Sequence, residues 1–327
     1  MKKIIKILCV LLTLAIGGCS APSAQEKPKD SPEKPKKLSV VATIFPQYDF
    51  ARQITGGLAD VHMLLPPGAE THSFEPTPQD IIKIQNCDVF VYVGGDSDAW
   101  VERILASIDT SKMKVVTLMS LVDTVEEVAV EGMQEEEEEE EEGDAPEYDE
   151  HVWTSPKNAA EIVKELVGII SEKDPSNEET YRANADKYLA QLAELDETFK
   201  DIVSNSELHT LVFGDRFPFR YFADEYKLDY FAAFPGCSTE IEANPVTIGF
   251  LIRKVNEEKI PAVFHIELSN EKIANAICES TGARLLLFNS AHNLSKSDFD
   301  GGATYLDIMK QNAETLKIAL EYKGSAE

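Results

Sequence analysis

Residues 175–206 read PSNEETYRANADKYLAQLAELDETFKDIVSNS, with no Gly and no further Pro after Pro175. Apolar or aromatic side chains recur at Tyr181, Ala185, Tyr188, Leu192, Leu195 and Phe199, the spacing of one helix face. A helix of about 30 residues is about 45 Å long at 1.5 Å per residue, enough to cross a whole domain face. On both sides of it the chain alternates short β-branched runs with helical stretches. Upstream, residues 38–45, 61–65, 88–93 and 114–118 read as strands, separated by helices at 48–55, 77–85 and 99–108. Downstream, strands at 210–213, 229–234, 262–266 and 284–288 alternate with helices at 219–226, 245–258, 271–280 and 305–322. This order predicts an α/β fold of two lobes, each a mostly parallel sheet flanked by helices, joined by the long helix. Such a pair should be rather rigid, with a cleft that opens only slightly.

The boundaries follow from composition. Lys2, Lys3 and Lys6 precede an apolar run at 7–16, too short to span a bilayer, so residues 1–18 read as a signal peptide. Ile16-Gly17-Gly18-Cys19 resembles the bacterial lipobox, in which cleavage leaves Cys19 as a lipidated N-terminus. Residues 19–37, rich in Pro, Lys and Ser, then read as a disordered tether. The N-terminal lobe is expected at 38–174, the linking helix at 175–206 and the C-terminal lobe at 207–327. The leader and Cys19 place the protein outside the cytosol, held at the cell membrane through its lipid, and a monomer is expected.

Net charge is −27, which argues against nucleic acid or an anionic membrane surface as a partner. Much of it is local. Residues 126–150 carry fifteen carboxylates and no Lys or Arg, with an unbroken glutamate run at 135–142. Such a run is ordinarily a solvated, self-repelling linker. It nonetheless runs up to His151, where it could concentrate divalent cations. Of five cysteines, Cys9 leaves with the signal. Cys87 precedes the apolar run Val89-Phe90-Val91 and reads as a buried thiol, while Cys237 and Cys278 are the preferred disulfide pair because both fall in the C-terminal half.

Three histidines sit on loops that follow or precede regular elements, where function concentrates. His72 lies in Pro66-Pro67-Gly68-Ala69-Glu70-Thr71-His72-Ser73-Phe74-Glu75-Pro76-Thr77-Pro78, a loop stiffened by its prolines. His151 precedes Ser155-Pro156, which reads as the N-cap and first residue of a helix. His292 follows the strand at 284–288, the carboxyl-end position where open α/β sheets bind ligands. His265 reads as a partly buried strand residue, and His62 and His209 as surface positions. Among oxygen donors, Asp215 at the end of a strand is the best candidate and Glu240 the next. Three imidazoles with a carboxylate suit tetrahedral Zn²⁺; two imidazoles with two carboxylates suit a harder ion such as Mn²⁺. No His-Glu-x-x-His run, Gly-x-Ser-x-Gly elbow or phosphate-binding glycine fingerprint occurs, which removes the main positive argument for an enzyme.

The stretches Ile44-Phe45-Pro46, Leu64-Leu65-Pro66-Pro67-Gly68, His72-Ser73-Phe74-Glu75-Pro76-Thr77-Pro78, His151-Val152-Trp153-Thr154-Ser155-Pro156 and Tyr221-Phe222-Ala223-Asp224-Glu225-Tyr226 carry a resemblance. It is to the zinc-binding cluster A-I solute-binding proteins of metal-ion ABC transporters, and it covers essentially the whole mature chain. The resemblance implies a metal held between the lobes, with His72 and His151 as ligands from the N-terminal one. It implies a lipoprotein that captures Zn²⁺ and delivers it to a membrane permease. Family members usually carry a histidine five residues before the Tyr-Phe pair; here that position is Arg216, which cannot ligate a cation, so Asp215 or His292 must replace it. Many relatives have a histidine-rich loop where this chain has glutamates. The rival expectations are a Mn²⁺ or Fe²⁺ receptor of the same class, a secreted zinc hydrolase, and a surface adhesin using the metal structurally.

Overall fold

Among the described residues, eight strands form two parallel sheets of four. In the computed structural model, which describes residues 37–69, 74–134, 147–238 and 242–324, the first half contains β1 (Ser39–Ala42), α1 (Phe45–Thr55), β2 (Asp60–Met63), α2 (Pro78–Asn86), β3 (Val89–Tyr92), α3 (Ala99–Leu105) and β4 (Lys114–Thr117). Two long helices follow, α4 (Pro156–Lys173) and α5 (Glu178–Ser204). The second half holds β5 (Thr210–Phe217), α6 (Arg220–Tyr226), β6 (Asp229–Pro235), α7 (Pro245–Glu258), β7 (Ala262–His265), α8 (Lys272–Thr281), β8 (Arg284–Leu287), α9 (Lys296–Asp300) and α10 (Tyr305–Ala319). Strand order is β2-β1-β3-β4 in one sheet and β6-β5-β7-β8 in the other, every pairing parallel. The two orders are equivalent, so each lobe offers its loops at the carboxyl ends of its strands. Among the described residues, no helix is long and apolar enough to cross a membrane. The signal segment, Cys19 and the tether lie outside the described residues, as does the glutamate run.

The helical face read from the sequence is the buried one. Tyr181, Ala185, Tyr188, Leu192, Leu195 and Phe199 of α5 are all buried, and the helix packs on α1 and α4 of one lobe and on α6 and α10 of the other. It thereby belongs to a core shared by both lobes, running from Val40, Phe45 and Phe50 through Trp153 to Phe213, Phe222 and Tyr305. Buried polar contacts cross this core. Asp49 of α1 accepts from Arg52 through Oδ1 (2.6 Å) and from the Tyr305 amide at the start of α10 through Oδ2 (2.8 Å). A carboxylate there complements the partial positive charge of the helix N-terminus.

Two details differ from the sequence reading. β5 does not stop at Phe213 but continues to Phe217 through a register shift against β6 between Phe213 and Arg216, so Asp215 lies within a strand. The expected Cys237–Cys278 disulfide is absent, and among the described residues Cys87, Cys237 and Cys278 form no disulfide. The reason is topological. Cys237 follows β6 at the carboxyl ends of the strands, whereas Cys278 lies in the last turn of α8, the helix that leads into the start of β8. Parallel strands put those places at opposite ends of the sheet, far beyond the about 7 Å of Cα separation that a disulfide spans. Cys87 is buried beside Met113, as expected.

Candidate metal centre

His151 is brought to the cleft by a short 3₁₀ turn (Val152–Thr154) between the acidic segment and α4. That helix starts as the sequence suggests, with Ser155 Oγ accepting from the Asn158 amide (3.3 Å) and Pro156 in the first turn. His151 itself is fully buried. Asp149, two residues upstream and also buried, accepts from the His151 backbone amide (2.7 Å) and sits 3.0 Å from Nδ1 through the same oxygen, Oδ1. The carboxylate thus fixes the ring plane and favours a proton on Nδ1, which makes Nε2 the ring nitrogen suited to accept. Burial pulls this imidazole down, but Asp149 at contact, with Glu150 and Glu127 behind it, outweighs burial and leaves it above the ordinary histidine value. Tyr221 of α6 donates from its hydroxyl to the Asp149 carbonyl (2.7 Å) and accepts from the Val125 amide (3.3 Å). This is the physical content of the Tyr-Phe motif: a C-terminal-lobe phenol pins the segment that carries the histidine.

His292 arrives from the other lobe, on the loop after β8. Its ring lies 4.8 Å from the His151 ring, centroid to centroid and nearly perpendicular, with Trp153 4.9 Å from His292 and 5.5 Å from His151. Glu267, just past the end of β7, braces that loop. One of its oxygens accepts from the Ser290 amide (2.7 Å) and the other from the Ser290 hydroxyl (2.5 Å) and the His292 amide (3.1 Å). Burial raises the Glu267 carboxyl despite these donors. His292 and Glu267 line one cavity together with Arg216, Gly236, Ser290 and Ala69. His292 also lines a second cavity, with Phe74, Trp100, Ser97, Asp98 and Glu150. Burial pushes the Asp98 carboxyl in that cavity up to about 7, although the Val93 and Gly94 amides both donate to it.

The remaining sequence-derived candidates divide. His72 and Glu240 lie outside the described residues. The flanks of residues 70–73 are described, and Ala69 and Phe74 border the two cavities that share His292. Asp215 lines neither cavity. Its Oδ1 accepts from the Arg216 amide (2.9 Å) and its Oδ2 from the Ile266 amide (3.3 Å), which ties β5 to the residue after β7. Arg216 is the residue of that pair that lines the cleft, donating from Nη1 to the Ser238 carbonyl (3.3 Å). His62 and His209 are exposed, and His265 is partly buried with Nδ1 3.0 Å from the Ile266 carbonyl.

The structure adds residues that the sequence reading passed over. Asp149 and Glu127 were hidden among fifteen carboxylates. The Glu127 and Glu147 carboxylates and the Cys237 sulfur lie within 4.8 Å of one another, next to His151. Burial, then Asp149, Glu127 and Glu150, push the Cys237 thiol well up. Gly236 makes this crowding feasible. A Cβ there would stand 2.9 Å from the Phe217 carbonyl oxygen and 3.2 Å from both His151 Cε1 and Glu127 Oε1. Gly236→Ala is therefore expected to displace the His151 ring and weaken metal binding about tenfold, the lower end of effects seen when a ligand's support is disturbed. Calorimetric titration of the two proteins checks this.

Residues 40–319 match the family described as zinc-uptake complex component A, periplasmic. The high-affinity zinc uptake system protein ZnuA of Bacillus subtilis is 33% identical over 316 residues, 97% of this chain and 96% of that protein. The zinc-binding lipoprotein AdcA of Streptococcus pneumoniae is 30% identical across this chain, which spans 62% of AdcA's length. Among solved structures, the metal-dependent lipoprotein YcdH of B. subtilis superposes with a TM-score of 0.73 at 31% identity, covering 87% of this chain and 100% of that one. The Zn(II)-bound ZnuA-like domain of S. pneumoniae AdcA gives 0.71 at 27% identity, covering 87% and 99%. With two parallel four-stranded sheets, a long shared helix and a histidine from each lobe at the cleft, the chain belongs to the zinc-uptake complex component A family.

Proposed function

We propose that this protein is an extracytoplasmic zinc receptor of an ABC importer, anchored by lipid on Cys19, that captures Zn²⁺ in the cleft and delivers it to the membrane permease. The observation that carries the reading is the pairing of His151 and His292, one from each lobe, with ring centroids 4.8 Å apart beneath the ends of the His72 loop. His151, His292 and His72 supply three imidazoles. A nitrogen-rich set of this kind suits Zn²⁺, while Mn²⁺ prefers carboxylate oxygen. Asp215, each of whose oxygens accepts one backbone amide and keeps a lone pair, is the candidate for the fourth position. Three backing groups hold the two described imidazoles without touching the ion: Asp149 on His151, Tyr221 on Asp149, and Glu267 on the His292 loop. The acidic segment assists capture by attracting divalent cations toward His151, a rate effect that added salt screens.

Equilibrating the mature protein with equal Zn²⁺ and Mn²⁺, desalting it and measuring retained metal tests this reading. One Zn²⁺ per chain is expected, with Mn²⁺ displaced. Preferential retention of Mn²⁺ would reject the zinc assignment, and retention of neither would reject the receptor.

A further inference from the structure

The turn before His72 has an unusual hold on it. Pro66, Pro67, Gly68 and Ala69 form a β-turn closed by the Ala69 amide donating to the Pro66 carbonyl (3.0 Å), with Gly68 at φ +83°. Proline at the second position and a glycine of positive φ at the third are what a type II turn requires. Asn293, buried in the opposite lobe, donates from Nδ2 to the carbonyls at both ends of this turn, Pro66 (2.9 Å) and Ala69 (2.9 Å). Its Oδ1 accepts from the Leu294 amide (2.8 Å). The next residue back along the chain is His292.

The loop holding Asn293 is itself tightly determined. Ala291 adopts φ +59°, a strained conformation for a residue with a side chain, and its amide donates to Asn289 Oδ1 (2.8 Å). Two further bonds tie the loop to the N-terminal lobe: Trp153 Nε1 to the Ser290 carbonyl (2.8 Å) and the Phe45 amide to the His292 carbonyl (3.3 Å). The Trp153 bond runs to the segment of His151. The Asn293 amide runs to the segment of His72, three residues before that histidine. The two straps set the His292 loop against both halves of the N-terminal side of the cleft.

We propose that Asn293 is a positioning residue for the cleft: its side-chain amide clasps the turn at the root of the His72 loop, and opening of this clasp sets the rate at which bound metal leaves. The proposal rests on the metal-receptor reading above. An amide suits the role because one NH₂ group serves two carbonyls, and exchange of two hydrogen bonds is a small, reversible barrier. A metal bridging the lobes keeps the turn and the His292 loop together, so release requires their separation.

The test uses the full chain loaded with Zn²⁺, with release followed by stopped flow into excess fluorescent chelator. Asn293→Ala removes the clasp. Asn293→Asp keeps the oxygen that accepts from Leu294 but sets a second oxygen against two carbonyl oxygens. Both variants are expected to release Zn²⁺ at least tenfold faster than the parent, with Asn293→Asp no slower than Asn293→Ala. A residue that only shaped its own loop would lower the melting temperature of the metal-free protein and leave the Asp variant's release rate at the parent value. That result overturns the clasp. If the Asp variant does not fold, Asn293→Ala and Asn293→Ser are compared, and parental release from either folded variant overturns the proposal equally. A parent chain that binds no Zn²⁺ at all overturns the receptor reading instead.

Discussion

His151→Ala is expected to lower zinc affinity roughly a hundredfold to several hundredfold. Apparent binding free energies of about 10–16 kcal/mol at protein zinc sites, divided among four ligands, give about 2.5–4 kcal/mol for each, and every 1.4 kcal/mol is a factor of ten. The loss should be felt in full because His151 is fully buried and held in a single orientation by Asp149, so no neighbouring group swings in to replace it. The fold should survive. Asp149 Oδ1 still accepts the backbone amide of residue 151, and the core beneath is made by Val152 and Trp153. Competition titration against a chelator of known affinity measures the effect, and circular dichroism confirms that the variant remains folded. An affinity within tenfold of the parent would remove His151 from the site.

The second large effect comes from a residue that does not touch the ion. Asp149→Asn is expected to weaken zinc binding about 10- to 100-fold, the range for losing a carboxylate behind a metal-bound histidine. It should also move the pH dependence. Proton and metal compete for the His151 imidazole, whose protonated form is favoured by Asp149, Glu150 and Glu127 against the downward pull of burial. Affinity should therefore start to fall while pH is still above the usual histidine range near 6.5. Removing the Asp149 charge leaves burial less opposed, so the variant's affinity should hold to lower pH although it is weaker at neutral pH. The metal-free protein behaves in the opposite sense. A histidine whose folded value is raised contributes stability fully below its unfolded value near 6.5 and loses it as pH rises through the folded value. Above about pH 6.5, metal affinity should thus rise with pH while the His151 contribution to the thermal stability of the metal-free protein falls.

Much of this was legible in the chain because the signals were local. The apolar stripe of α5 and the β-branched runs of both sheets are patterns within a few residues, and each reappears as a buried face or strand. His151 and His292 stood out because both sit on loops at the carboxyl ends of strands or before a capped helix. What failed depended on long-range geometry. Cys237 and Cys278 share a lobe, but sharing a lobe says nothing about which end of a parallel sheet each occupies. β5 was expected to stop at Phe213, but the register shift carries it on to Phe217 and puts Asp215 inside the strand, with its carboxylate accepting from the Ile266 amide. Asp149 was invisible for a different reason, since one functional carboxylate among fifteen has no distinguishing pattern until a folded chain shows which imidazole it faces. Glu267 and Asn293 act through backbone groups far away in sequence, and no spacing rule announces such contacts.

The most direct measurement is a crystal structure of the zinc-loaded protein with anomalous scattering recorded on both sides of the zinc absorption edge. The account predicts a single strong peak in the cleft, about 2.0–2.1 Å from a ring nitrogen of His151, of His292 and of His72. A peak bonded to neither His151 nor His292 would contradict it.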